Sequence, residues 1–223
     1  MFCFYEHKLI ILPFLKLLWF VYIDRLSEDC TNTPSHCHDG FTISFWLYHI
    51  RGEFILCTGV YINKNKGPGI TFIYDEGKGF FVLKISTINY TWRLKTRIPR
   101  RAWVHVAFTW SRIEGTQMYL NGKAVVLHQS RKTNVEFESP RSSRGWSIGR
   151  PNDIFKLTNY GNLGISHLAL WLRELTKTEI ATAYAETTSR DQNKVITLIN
   201  KLGKLFGESL LYNLLWQQSI HTD

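Results

Sequence analysis

Arg93, Lys95 and Arg97 stand at alternate positions, Arg100 and Arg101 follow Pro99, and no acidic residue interrupts these five. Alternation puts the first three on one face of an extended strand, about 6.6–6.8 Å apart along the chain. That spacing meets successive anionic groups on an extended glycan. The competing reading is a solvated outer strand whose charges keep a sheet soluble. Arg131, Lys132, Arg141, Arg144 and Arg150 would widen the patch if the fold brings them near. The formal net charge of +9, from 27 Lys and Arg against 18 Asp and Glu, favours anionic partners such as sulfated glycans, phospholipid surfaces or nucleic acid. No nucleic-acid-binding motif accompanies the charge, so nucleic acid is not expected as a partner.

Other chemistry would have to come from the acids, cysteines and histidines. Retaining glycoside hydrolysis needs two carboxyl groups about 5 Å apart. The closest match is Glu136-Phe137-Glu138, which lacks a third acid and runs into Ser139-Pro140. His105 has no Gly-x-Ser-x-Gly turn to pair with and reads as a packing residue. The sequence therefore points away from an enzyme. Of the cysteines at 3, 30, 37 and 57, Cys30 and Cys37 lie near His36 and His38. Zinc would want a second ligand pair at metal-binding spacing, and none follows. A short disulfide from Cys30 to Cys37 is favoured over zinc or free thiols. Asn89-Tyr90-Thr91 is a glycosylation sequon, which lends modest support to an extracellular location.

These groups must be positioned by strands. Residues 103–110 alternate, with Val104, Val106, Phe108 and Trp110 forming a wholly apolar face that should meet the core. Residues 111–115 supply turn chemistry, residues 117–120 resume as a strand, and Asn121-Gly122 suits a type I′ hairpin into residues 123–127. Residues 41–48 alternate likewise. Trp46 and Tyr48 lie on the more polar side, as a sugar-stacking surface or as a face covered by other chain. Residues 54–58, 70–74, 80–85 and 90–94 read as further strands, with residues 63–69 as a turn-rich loop. Thr176 and Glu179 form a capping box for a helix running to about residue 186. Apolar residues at 195, 198, 199, 202, 205 and 206 keep helical spacing in a C-terminal tail. Residues 1–29 differ from the rest. Their apolar run at 9–23 is interrupted by Pro13 and Lys16 and reads as signal-like, as a strand near residues 17–22, or as non-authentic sequence.

Three motifs occur in a telling order. The run Trp103-Val104-His105-Val106-Ala107-Phe108-Thr109-Trp110, continued by Met118-Tyr119-Leu120-Asn121-Gly122-Lys123, resembles the laminin G-like and pentraxin-like domains of the concanavalin A-like lectin/glucanase superfamily. The stretch Asp39-Gly40-Phe41-Thr42-Ile43-Ser44-Phe45-Trp46-Leu47 resembles an early strand of that family, and residues 161–176, with Trp171-Leu172-Arg173-Glu174-Leu175 near their end, resemble its closing strand. The resemblance covers roughly residues 30–184. It implies an all-β, two-sheet antiparallel jelly-roll sandwich with a short helix after the last strand. The organisation expected is an apolar segment at 1–29, the sandwich at 30–188 and a helical tail or linker at 189–223.

The resemblance also implies a non-catalytic extracellular or cell-surface recognition and adhesion module, part of a larger receptor or matrix-type protein. Its ligand would be an anionic glycan or an extracellular protein, with a membrane tether through the parent protein. Some relatives have a Cys-bounded loop before the early strand, as Cys30 and Cys37 would form here. The family fold also hosts glycoside hydrolases, which is the alternative reading. In many relatives the loop at Asn152-Asp153 binds calcium. Asn152 and Asp153 supply two oxygen ligands toward the six to eight that calcium takes, but the closing strand has Ser166-His167 where many relatives have acids.

Overall fold

Two antiparallel sheets account for most of the residues that the computed structural model describes, which are 15–17, 21–24, 30–58, 61–62, 65–125, 129–133, 145–150 and 162–188. The six-stranded sheet has the order β1 (Leu15–Leu17), β15 (Asn162–Trp171), β3 (Phe41–Arg51), β10 (Trp103–Ser111), β11 (Gly115–Leu120), β12 (Lys123–Val125). The seven-stranded sheet runs β13 (Ser130–Thr133), β9 (Tyr90–Thr96), β8 (Phe80–Ser86), β7 (Gly69–Asp75), β4 (Phe54–Cys57), β14 (Gly145–Ile148), β2 (Val21–Asp24). A small hairpin, β5 (Tyr61–Ile62) with β6 (Asn65–Lys66), overlaps the turn-rich loop expected at residues 63–69. Among the described residues, those up to Ala181 belong to one compact unit, and residues 182–188 belong to another.

Period-two alternation sends one side of each strand into the space between the sheets. Val104, Val106, Phe108 and Trp110 of β10 are buried there, as their alternation predicts, alongside Phe41, Ile43, Phe45 and Leu47 of β3. The other sheet contributes Ile70, Phe72, Phe81, Leu83, Trp92 and Leu94. Aromatic contacts cross the layer: Phe72 lies 6.1 Å from Phe45 and 6.4 Å from Phe108, and Trp92 meets Trp110 edge-on at 5.4 Å. Burying each such side chain contributes about 1.5–3 kcal/mol, which makes this core the main source of stability.

The opposite face of the six-stranded sheet is also covered over part of its area. Ala107, Tyr119, Leu175 and Ile180 form a second apolar cluster with Trp171 packed against it. A helix, α1, spans residues 177–188. Its start is fixed as the capping box predicts. Thr176 Oγ1 accepts from the Glu179 amide at 3.2 Å, and the Thr176 amide donates to Glu179 Oε2 at 2.8 Å. Arg173 then grips both oxygens of the same carboxylate, at 2.6 and 3.1 Å. Thr42 ties this segment to β3, donating to the Arg173 carbonyl and accepting from the Leu175 amide.

Positive backbone φ angles fall where the motifs stand. Gly40 has φ +72, and a Cβ there would lie 2.2 Å from the Trp110 carbonyl oxygen. Asn121 and Gly122 have φ of 48 and 74, the two positive values of the expected hairpin. The Asn121 side-chain oxygen accepts from the His105 amide at 3.0 Å, and the Asn121 amide donates to the His105 carbonyl at 2.8 Å. In β15 a bulge between Ser166 and Ala169, with His167 at φ 51, lets both Ile165 and Leu168 face the core.

The apolar N-terminal run supplies two strands, where one was expected near residues 17–22. β1 pairs with β15 in one sheet and β2 with β14 in the other. The tail expected at 189–223 lies outside the described residues.

Candidate functional site

Trp92 and Leu94 of β9 point into the core, so the alternate residues Arg93, Lys95 and Arg97 must point outward. Lys95 and Arg97 are exposed and Arg93 is half-buried. Residues directly opposite in an antiparallel pair share a face. Lys84 of β8 stands opposite Arg93, and Val82 opposite Lys95. On the other flank, Ser130 of β13 stands opposite Arg93 and Lys132 opposite Thr91. The outer surface of the seven-stranded sheet therefore gathers Lys84, Arg93, Lys95, Arg97 and Lys132. Arg97 lies over the Phe80 ring at 5.1 Å, so an aromatic flank accompanies the charge.

Other predicted residues are placed elsewhere. Arg131 stands opposite Trp92. Its guanidinium sits 3.8 Å above the Tyr90 ring and 5.3 Å from that of Trp92, closing the edge of the core. Arg100 lies 4.7 Å above the Tyr74 ring, donates to the Tyr74 hydroxyl at 3.2 Å, and donates from Nη2 to the Ile50 carbonyl. Arg101, at φ 56, donates its amide to the His49 carbonyl at 2.9 Å. Arg100 thus fixes the connection between β9 and β10 and does not extend the stripe. Arg150 is half-buried just beyond β14. Arg141 and Arg144 lie outside the described residues, as do Glu136, Glu138, Asn152 and Asp153.

Lys84 was missed by sequence reasoning. The available signal was a single charge in an otherwise apolar strand, Phe80–Ser86; its pairing with Arg93 is a matter of register.

Cys30 and Cys37 are joined by a disulfide, with Cα atoms 5.1 Å apart, so neither is a zinc ligand. Among the described residues no group of three His, Cys, Asp or Glu could hold a metal ion. Asn89 is exposed in the turn between β8 and β9. On the outer face of the six-stranded sheet, Trp46 meets His105 edge-on at 5.6 Å and Tyr48 meets Trp103 at 5.6 Å. His105 is only 1% exposed. Burial, aided by the nearby charge of His167, pushes its imidazole down to about 4, so it is neutral at physiological pH. Among the described residues, no helix is long and apolar enough to cross a membrane.

The described residues thus form an antiparallel sandwich with a basic outer face, a neutral buried histidine and a disulfide-closed loop ahead of β3. Residues 28–181 match the family described as the concanavalin A-like lectin/glucanases superfamily, and the chain belongs to it. It is 28% identical over 162 residues to the human adhesion G-protein coupled receptor D1, and 26% identical over 170 residues to the bovine one. Those matches cover 72% and 74% of this chain, and the chain spans 18% of the length of either relative. Solved structures share the fold. The receptor binding domain of botulinum neurotoxin C/D mosaic serotype aligns with a TM-score of 0.53 and 12% identity, over 82% of this chain and 47% of that one. The binding domain of botulinum neurotoxin DC in complex with SialylT aligns at 0.51 and 16%, over 75% and 39%.

Proposed function

We propose that this domain is an extracellular recognition module of a larger adhesion-receptor-type protein, and that it binds an anionic glycan through the outer face of its seven-stranded sheet. The observation that carries the reading is the gathering of Lys84, Arg93, Lys95, Arg97 and Lys132 on one face by the register of β8, β9 and β13. Each exposed ion pair is worth roughly 0–1 kcal/mol. Several acting together give salt-sensitive binding, because screening at physiological ionic strength acts over about 8 Å. Attachment of a glycan at Asn89 and calcium at Asn152 and Asp153 belong to the same reading of an extracellular domain.

Heparin-affinity chromatography tests it. Substituting Arg93→Ser, Lys95→Ser and Arg97→Ser together should lower the eluting salt concentration markedly. A control triple of equal charge, Arg112→Ser, Lys123→Ser and Lys177→Ser, uses exposed residues away from the stripe and should shift elution much less. Equal shifts would show that retention reflects bulk charge and would overturn the reading.

A further inference from the structure

A groove of about 610 Å³ lies beside the basic stripe, on the same sheet, with Arg51, Glu53, Asp75, Glu76, Lys84 and Arg93 among its lining residues. Its size falls within the roughly 300–1,000 Å³ of small-ligand pockets. Three of those residues are basic and three acidic, so the groove is balanced in charge, unlike the stripe. Lys84 and Arg93 stand opposite one another on β8 and β9. Glu53 precedes β4, with its carbonyl bound by the Tyr74 amide at 2.7 Å. Asp75 ends β7, and Glu76 turns back to accept from the Gly52 amide at 3.1 Å.

Two features indicate a ligand of particular chemistry. Arg93, half-buried with its Nε unpartnered among the described residues, lines the groove beside Lys84, so that two cationic side chains meet at one end of it. Burial also pushes the Glu53 carboxyl upward, an effect that Lys84 opposes and that Asp75 and Glu76 reinforce. It is an acceptor held in a partly dry site.

We propose that this groove is a subsite for a single saccharide unit bearing one sulfate or carboxylate and free hydroxyls. The anion is held between Lys84 and Arg93, and hydroxyls donate to Glu53 and Asp75. A fork of guanidinium donors matches the planar or tetrahedral oxygens of such an anion, and carboxylates accept the hydroxyls a sugar offers. An extended peptide is disfavoured because β7 and β8 are interior strands whose ladder bonds are already made, leaving no edge for strand addition. The proposal rests on the anionic-glycan reading of this face and adds selectivity to it. The stripe reads charge density; the groove reads one residue of the chain.

Isothermal titration calorimetry with N-acetylglucosamine 6-sulfate, neutral N-acetylglucosamine and inorganic sulfate tests this. The wild-type domain should bind the sulfated sugar at least tenfold more tightly than either control. Lys84→Gln with Arg93→Gln should lower that affinity at least tenfold, and Arg93→Lys, which keeps the charge and the fold, several-fold. Lys95→Ser with Arg97→Ser should change it less than twofold while lowering heparin retention. Glu53→Ala should bring the sugar sulfate down toward inorganic sulfate. The proposal is overturned if inorganic sulfate binds as well as the sugar, if the Lys95 and Arg97 pair costs as much as the groove pair, or if a Lys–Asp dipeptide displaces the sugar with equal affinity. Heparin retention that persists without any sugar-sulfate binding sinks the groove alone. Sugar-sulfate binding without stripe-dependent retention sinks the polyanion reading alone.

Discussion

His105 shows how a polar residue is put to structural use. Its backbone exchanges hydrogen bonds with Asn121, and its ring is buried against Trp46. Because burial holds the imidazole at about 4 against about 6.5 in an unfolded chain, the unfolded state binds more protons between those values. Stability from the neutral ring is therefore complete above pH 6.5 and is lost as pH falls toward 4. The full amount is on the order of 3 kcal/mol. Urea denaturation at pH 7.5 and pH 4.5 should show the gap between wild type and His105→Gln shrinking, or reversing, in acid; a gap constant with pH would refute the assignment. Phe108 is the apolar counterpart. It is wholly buried and meets Phe72 across the sandwich, so Phe108→Ala should cost on the order of 3–5 kcal/mol by loss of contacts and the cavity left behind. A loss under 1 kcal/mol in equilibrium unfolding would contradict a packed core at that point.

At the scale of elements, the hairpin β11–β12 depends on two residues. Asn121→Ala removes the acceptor for the His105 amide and places alanine at φ 48. The expected cost is roughly 1–3 kcal/mol from the unpaired donor. Thermal unfolding would detect it, and a neutral result would mean that the turn relaxes freely. The capping box behaves in the same local way. Arg173, with help from the Thr176 amide, holds Glu179 down to about 2, so its contribution is present above about 4.5 and is lost as pH falls through 2. With side chains 37% and 40% exposed, the pair is worth at most about 1 kcal/mol. Both features were legible in the sequence because each is decided within a few residues, by Asn-Gly torsions and by Thr-x-x-Glu spacing. The core faces of β3 and β10 were legible because alternation fixes them. Lys84 beside Arg93, Arg131 turned over Tyr90, and Arg100 captured by Tyr74 were not. Each depends on which strand lies alongside and in what register, and that is settled by packing of residues far apart in the chain. The apolar run near the N-terminus was ambiguous for a related reason: its two strands, only three and four residues long, have partners more than a hundred residues away.

For the whole molecule, the question is whether a net charge of +9 acts as a diffuse field or through one face. A field attracts any polyanion and changes little when three charges are moved or removed anywhere. A face that binds the folded state, and not the unfolded chain, couples binding to stability by mass action. At ligand concentrations near 100 times Kd that coupling is about 2.7 kcal/mol. For a chain of this size each kcal/mol moves Tm by roughly 2–4 °C. A defined heparin oligosaccharide should therefore raise Tm by about 5–11 °C at low salt. The gain should fall steeply as NaCl is added, since screening weakens every contact together. The variant carrying Arg93→Ser, Lys95→Ser and Arg97→Ser should lose most of the gain while its ligand-free Tm stays close to that of the wild type, because Lys95 and Arg97 are exposed and Arg93 is half-buried. The control triple at Arg112, Lys123 and Lys177 should keep most of it. Were the oligosaccharide to leave the wild-type Tm unchanged, or lower it, the polyanion would not prefer the folded face, and its attraction to the basic chain would be that of the charge total alone.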